Sequence, residues 1–261
     1  MSYASKQGYP TLAIDRLGNG LSDHPDPIVV VQMPAHAEVL AGVAQLARQG
    51  TSPLPRAFQK IIYVGHSFGS LIGNLVNTKY PDIVDATILT GWSNDFVVPG
   101  IPVALGLVTL PAQLVEPARF SNLPVGYLEV SSESGDIHAF FEQGKYDPRI
   151  QALDWARRGT LTLGEILTFP FAIASATGYN APVFVVTAQQ DTIFCNPTAG
   201  LLPPDCGTGP GNMLAQSADL YPAASVYEWY VVPNAGHCWQ LHYTAQDGFN
   251  ASHVWLEQQG F

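Results

Sequence analysis

Charge is what this sequence has least of. Asp, Glu, Lys and Arg make up 12% of its 261 residues, about half the ~25% usual in soluble domains. Positive charge is the scarcer kind: 11 Lys and Arg stand against 21 Asp and Glu, for a net charge of −10. Without a basic stripe to follow a phosphate backbone or an anionic bilayer, nucleic acid and acidic membrane surfaces are excluded as partners. A long hydrophobic run is also missing. The longest apolar stretch, residues 96–110, is broken by Pro99, Gly100 and Pro102, and it falls short of the ~20 residues a membrane span needs. His, Cys and Glu never cluster at ligand spacing, so no metal is expected. Residues 1–8 hold no apolar core of a signal peptide, which taken literally argues for a cytosolic protein.

Cysteine is nearly absent, with three in all. Cys195 and Cys206 flank a loop rich in Pro and Gly, 196–205, which either a disulfide would staple or two buried thiols would flank. Cys238 is left over as a packed free thiol. Asn250-Ala251-Ser252 is the one glycosylation sequon with an allowed middle residue.

What the sequence does have is a run around which the rest is organised. Ile61-Ile62-Tyr63-Val64 reads as a short apolar strand, Gly65-His66-Ser67-Phe68-Gly69 as a sharp turn, and the residues to about Lys79 as a helix stopped before Pro81. Gly-x-Ser-x-Gly between a strand and a helix is the nucleophile-elbow pattern. The small residues Gly65, Gly69, Ser70 and Gly73 let strand and helix pass closely, and the helix start aims backbone N–H groups at the serine.

Around this run, strands are predicted over 11–15, 85–90, 182–187 and 225–232. Helices are predicted over 34–49, 213–220 and 247–259. Alternating apolar strands and helices imply a mostly parallel α/β sheet covered on both faces. Gly18-x-Gly20 follows a strand but lacks the third glycine of a dinucleotide site, because Asp23 stands there. Residues 92–181 differ in character, with scattered prolines and short helices expected over 134–143, 148–158 and 161–173. This segment reads as a cap inserted into a core made of 1–91 and 182–261. Phe96, Val97, Val98, Ile101, Leu105 and Leu107 could line an apolar entry to it.

A serine hydroxyl needs a base, and the base needs an acid that fixes its tautomer. Ser67, Asp191 and His237 supply these in chain order, the last two each just past the end of a buried strand, where the loops of a parallel sheet share one edge. Asp95 is the competing acid. His66, beside the nucleophile, is expected to be aimed away by the turn and to pack or hydrogen-bond rather than act as base. The Phe68 N–H is the one oxyanion donor that can be named.

These residues resemble the α/β-hydrolase superfamily over almost the whole chain. Ile14-Asp15-Arg16-Leu17-Gly18-Asn19-Gly20-Leu21-Ser22 is similar to its fourth-strand signature, Gly65 to Gly69 to its elbow, Gln190-Asp191 to its acid loop and Gly236-His237 to its base loop. The cysteine pair and Gly236-His237-Cys238-Trp239 are similar to secreted fungal members, which implies an extracellular full-length parent. The resemblance implies an α/β-hydrolase sheet with a helical cap. It also implies hydrolysis of an apolar ester, lactone or amide through an acyl-enzyme without a cofactor. Serine rather than aspartate at the elbow disfavours the epoxide-hydrolase and haloalkane-dehalogenase branches. In that superfamily three further strands precede the fourth, so this chain is expected to lack them and the second oxyanion donor they bring. That leaves a weakly active or non-catalytic hydrolase-fold binding protein as the alternative, with a serine-dependent C–C hydrolase as a third reading.

Overall fold

The computed structural model describes residues 2–94, 109–196 and 203–261. Its strands are β1 (Ile62–His66), β2 (Ala86–Thr90), β3 (Thr109–Pro111), β4 (Tyr127–Val130), β5 (Leu161–Thr162), β6 (Val183–Ala188) and β7 (Tyr227–Val232). β1, β2, β6 and β7 form one sheet in that order, and every pairing in it is parallel. The continuous apolar runs of β2 and β6 occupy its centre, and all their residues are buried.

Alternation along these two strands separates the cores. Leu89, Val183 and Val185 face a cluster with Met33, Leu71 and Leu75 from the helices Met33–Gln49 and Phe68–Lys79. Ala86, Ile88, Phe184 and Val186 face the other way, onto Trp255 and Leu256 of the helix Ala245–Gln258. Phe184 and Trp255 stack with ring centroids 5.1 Å apart. Truncating so central a residue as Leu89 to Ala is worth about 2–5 kcal/mol of stability.

The register lines up the carboxyl ends of the strands. His66 pairs with Thr90 across β1 and β2, Thr90 with Val186, and Ala188 with Val232. The loops that follow, carrying Ser67, Gly91, Asp191 and His237, therefore leave from one rim.

Several sequence expectations are corrected. Residues 11–15 form no strand. Their backbone is irregular, and Leu12 and Ile14 are 59% and 45% exposed. A strand needs a neighbour to bond its peptide groups, and β1 pairs only with β2 among the described residues. Val64, in the apolar run of β1 at the end of the strand order, is 61% exposed. The helix expected over 161–173 breaks into β5, the helix Leu163–Thr168 and the 3₁₀ turn Phe169–Ala172. Thr162 and Glu165 form a reciprocal capping box that starts the helix there, and Pro170 falls in the 3₁₀ turn. Residues 213–220 likewise split into Met213–Gln216 and the 3₁₀ turn Ser217–Leu220.

The segment 109–162 also carries strands where only short helices were anticipated, since β3, β4 and β5 make a small antiparallel sheet. Glu129 disguises the pattern, an acid at an inward position of β4. The helices Glu133–Phe140 and Pro148–Arg157 appear near their predicted places. Asp95 and the apolar residues between Phe96 and Leu107 lie outside the described residues.

Cys195 and Cys206 are joined, with Cα atoms 4.8 Å apart, and Cys238 is a free thiol. The sequon lies within the helix Ala245–Gln258, where the buried Ser252 hydroxyl donates to the Gly248 carbonyl at 2.8 Å. No helix among the described residues is long and apolar enough to cross a membrane.

Candidate active site

Ser67 stands between β1 and the helix Phe68–Lys79 with φ +52° and ψ −113°, a left-handed conformation for a non-glycine residue. The turn is that tight because β1 must reverse directly into the helix. A Cβ on Gly65 would lie 2.5–2.7 Å from backbone atoms of Gly69 and Ser70, so only glycine fits there. Gly69 is not under that constraint, because its Cβ would meet only the Tyr63 hydroxyl, at 3.7 Å. The Ser67 N–H donates to the Thr90 carbonyl at 2.9 Å, and Ser70 Oγ donates to the same carbonyl at 2.8 Å. The elbow is thus fastened to the end of β2. No side chain caps the helix, which leaves the Phe68 N–H at its first turn for a ligand.

Asp191 follows β6 and is fully buried. Its Oδ1 accepts the N–H groups of Ile193 (2.8 Å) and Phe194 (2.9 Å), and its Oδ2 lies 2.8 Å from His237 Nδ1. Burial alone would raise its pKa, but His237 and the two backbone donors outweigh it and hold the carboxyl below the usual aspartate range. An ionised Asp191 requires the proton on His237 Nδ1, which leaves Nε2 as an acceptor. That atom is buried and has no hydrogen-bond partner. Phe194, Phe140 and His66 surround the imidazole, with ring centroids at 5.7, 5.7 and 4.9 Å.

Ser67 and His237 share the wall of a cavity of about 310 Å³ with Phe68, Leu71, Phe140 and Phe169. The cavity lining also carries polar groups from three segments: Arg16 and Asn19 before the sheet, Glu129 and Asp136, and Asp154 with Arg158. Arg16 is held in place by Glu165 at 2.9 Å and by the Thr160 carbonyl at 2.9 Å. Glu165 also bonds His36 Nε2 at 2.8 Å.

His66 does hydrogen-bond, as its position by the turn suggested. Its Nδ1 lies 3.0 Å from both the Thr90 hydroxyl and the Gln240 amide. It is not aimed away from the site, however, since its ring lines the cavity beside His237. Burial and the neighbouring His237 pull its pKa down to about 3, so it is neutral.

Sequence reasoning passed over His242, whose Nε2 accepts from the N–H groups of Glu142 (2.9 Å) and Gly236 (3.1 Å). This fixes its proton on Nδ1, which faces the Cys238 carbonyl at 2.9 Å. His242 thereby clamps the loop that carries His237. Nothing local in the sequence marks it, because its two donors lie 6 and 100 residues away. The Cys238 thiol is pushed well up by burial and then by Asp154, Asp136 and Asp191, and stays protonated. No group of three His, Cys, Asp or Glu among the described residues could hold a metal ion.

The model of the alpha/beta hydrolase family matches residues 1–247. The chain belongs to that family. Among curated proteins, 2-(acetamidomethylene)succinate hydrolase of Mesorhizobium japonicum is 25% identical over 136 residues. That match spans 49% of this chain and less than half, 45%, of the relative. Among solved structures, tomato methylketone synthase I complexed with 2-tridecanone superposes with a TM-score of 0.65 at 12% identity, covering 99% of this chain and 91% of the other. A thermophilic esterase from Thermogutta terrifontis superposes with a TM-score of 0.52 at 18% identity, covering 94% and 78%. At such identities the structural likenesses establish the fold of this hydrolase-family chain.

Proposed function

We propose that the chain is a serine hydrolase that cleaves a small, largely apolar carboxylic ester, lactone or amide through an acyl-enzyme. The observation that carries this reading is the buried Asp191–His237 pair at 2.8 Å, its free Nε2 on the same cavity wall as Ser67. In this reading Ser67 Oγ attacks the carbonyl carbon while His237 Nε2 takes its proton, and Asp191 stabilises the imidazolium. The carbonyl oxygen, now an oxyanion, accepts from the Phe68 N–H. His237 returns the proton to the leaving group, and a water deprotonated by His237 then attacks the acyl-serine to release the acid.

In this reading the segment 92–181 is a cap, and its described residues Phe140, Asp154 and Phe169 line the cavity. The aromatic and aliphatic lining of Phe68, Leu71, Phe140 and Phe169 supports an apolar body for the substrate. The Cys195–Cys206 disulfide supports an oxidising, extracellular compartment. A fluorophosphonate probe tests the reading directly. Wild type is expected to be labelled and Ser67→Ala not, and equal labelling of both, or of neither, overturns it.

A further inference from the structure

The cavity wall carries several charged side chains, most of them paired. Arg16 faces Glu165 at 2.9 Å. Arg158 faces Glu129 at 3.1 Å and Glu116 at 3.6 Å, and Arg119 faces Glu116 at 2.9 Å and Glu129 at 3.9 Å. Three arginines thus meet three glutamates, of which Glu129 has its pKa pushed up to about 7 by burial. Two lining carboxyls remain, Asp136 on the helix Glu133–Phe140 and Asp154 on the helix Pro148–Arg157, and neither forms an ion pair among the described residues. Asp136 is 2% exposed, and its Oδ2 and the neighbouring Gln151 Nε2 are both buried without a well-formed hydrogen bond.

A carboxylate buried without a counter-charge destabilises a fold unless something outside the fold repays it. Burial and the like charge of Asp154 push the Asp136 pKa up to about 6, which records that cost, and Gln151 and Arg158 offset it only in part. Asp154 is raised as well, by burial. Both acids line the same cavity as Ser67 and His237.

We infer that Asp136, with Asp154, forms a subsite for a protonated amine on the substrate, so that the preferred ester or amide is one whose apolar body ends in an alkylammonium group. This rests on the hydrolase reading, and it narrows the substrate class from any apolar ester to a cationic one. An ammonium group donates to the orphaned Oδ2 and cancels the charge that the wall leaves open. A site built to hydrogen-bond such a group rejects the analogue that lacks it, because the buried carboxylate is then left unpaired.

The test compares p-nitrophenyl 6-aminohexanoate with p-nitrophenyl heptanoate and p-nitrophenyl 6-hydroxyhexanoate at pH 7.5. The ammonium ester is expected to show a KM roughly 10-fold or more below the other two, and Asp136→Asn and Asp154→Asn are expected to erode that ratio. Equal KM values for the ammonium and heptanoate esters overturn the subsite and leave the hydrolase standing. An equal gain for the hydroxy ester also overturns it, since it marks a site for neutral donors. Calorimetric titration with hexylammonium and 1-hexanol reads the subsite without catalysis. Binding of hexylammonium that Asp136→Asn weakens, beside an absence of probe labelling at Ser67, would keep the subsite and sink the hydrolase. Hexylammonium bound no more tightly than hexanol would sink the subsite.

Discussion

His237 Nδ1 lies 2.8 Å from Asp191 Oδ2, and the two side chains are closed to solvent. So placed, the carboxylate fixes which ring nitrogen carries the proton, and in the proposed mechanism it stabilises the charge the ring acquires. Asp191→Asn keeps the shape but presents an amide donor to Nδ1, which moves the imidazole proton to Nε2 and removes the base. kcat/KM toward a p-nitrophenyl ester is expected to fall by ~10³–10⁴, and fluorophosphonate labelling of Ser67 is expected to slow in parallel. A variant with unchanged labelling kinetics would place the base elsewhere.

Two glycines near the elbow are expected to answer substitution in opposite ways. Gly91 has φ +54°, and a Cβ there would stand 2.6 Å from His66 Cε1 and 3.0 Å from His237 Cε1. Gly91→Ala therefore displaces both imidazoles, and turnover is expected to fall roughly 10–100-fold. Gly69 is part of the Gly-x-Ser-x-Gly signature, yet its Cβ would meet nothing closer than 3.7 Å. Gly69→Ala is expected to retain the activity and to gain up to ~1 kcal/mol of stability from helix propensity. Side-by-side ester turnover and thermal melts of the two variants check this contrast.

The elbow, the parallel sheet and the loops of Asp191 and His237 were legible because each depends on residues near in sequence. A Gly-flanked serine reports its own turn, and the unbroken apolar runs of β2 and β6 report burial on both faces. The failures share a cause, which is that their determinants are remote. Residues 11–15 have a strand-like composition, but among the described residues no partner strand lies beside them to bond their backbone. His242 looks like an idle histidine until Glu142, 100 residues away, donates to it. Nothing local in the sequence singles out Asp136 or Glu129, and only the packing of separate segments places both on the cavity wall.

The cost of keeping Asp136 buried should be measurable as stability. In the unfolded chain it ionises near the ordinary aspartate value, and in the folded chain near pH 6. Between those values the unfolded state has already released a proton that the folded state retains, so stability falls as pH rises through the window. Above about pH 6 the full penalty is present, and below about pH 4 none of it is. Asp136→Asn removes the charge and is expected to raise Tm by roughly 3–5 °C at pH 7.5, with the gain vanishing by pH 4. A variant less stable than wild type at pH 7.5 would show that the carboxylate is a structural partner instead.

His242 gives the opposite pH dependence. Its Nε2 must stay unprotonated to accept from the Glu142 and Gly236 N–H groups. Burial outweighs its bond to the Cys238 carbonyl and holds its pKa below the ordinary histidine value. As pH falls below that ordinary value the unfolded chain takes up a proton the folded chain refuses, so the stability it contributes above neutrality is lost toward acid. Protonation would also turn Nε2 into a donor facing two donors and push the His237 loop out of place. His242→Leu leaves both backbone N–H groups without an acceptor and is expected to cost about 2–4 kcal/mol at pH 7.5, read by urea unfolding. Restoring an acceptor with His242→Gln is expected to recover part of that loss and to flatten the acid limb of the stability profile. An acid limb as steep as that of wild type would shift the explanation to Asp191 and Glu165, whose carboxyls are both held below their usual range.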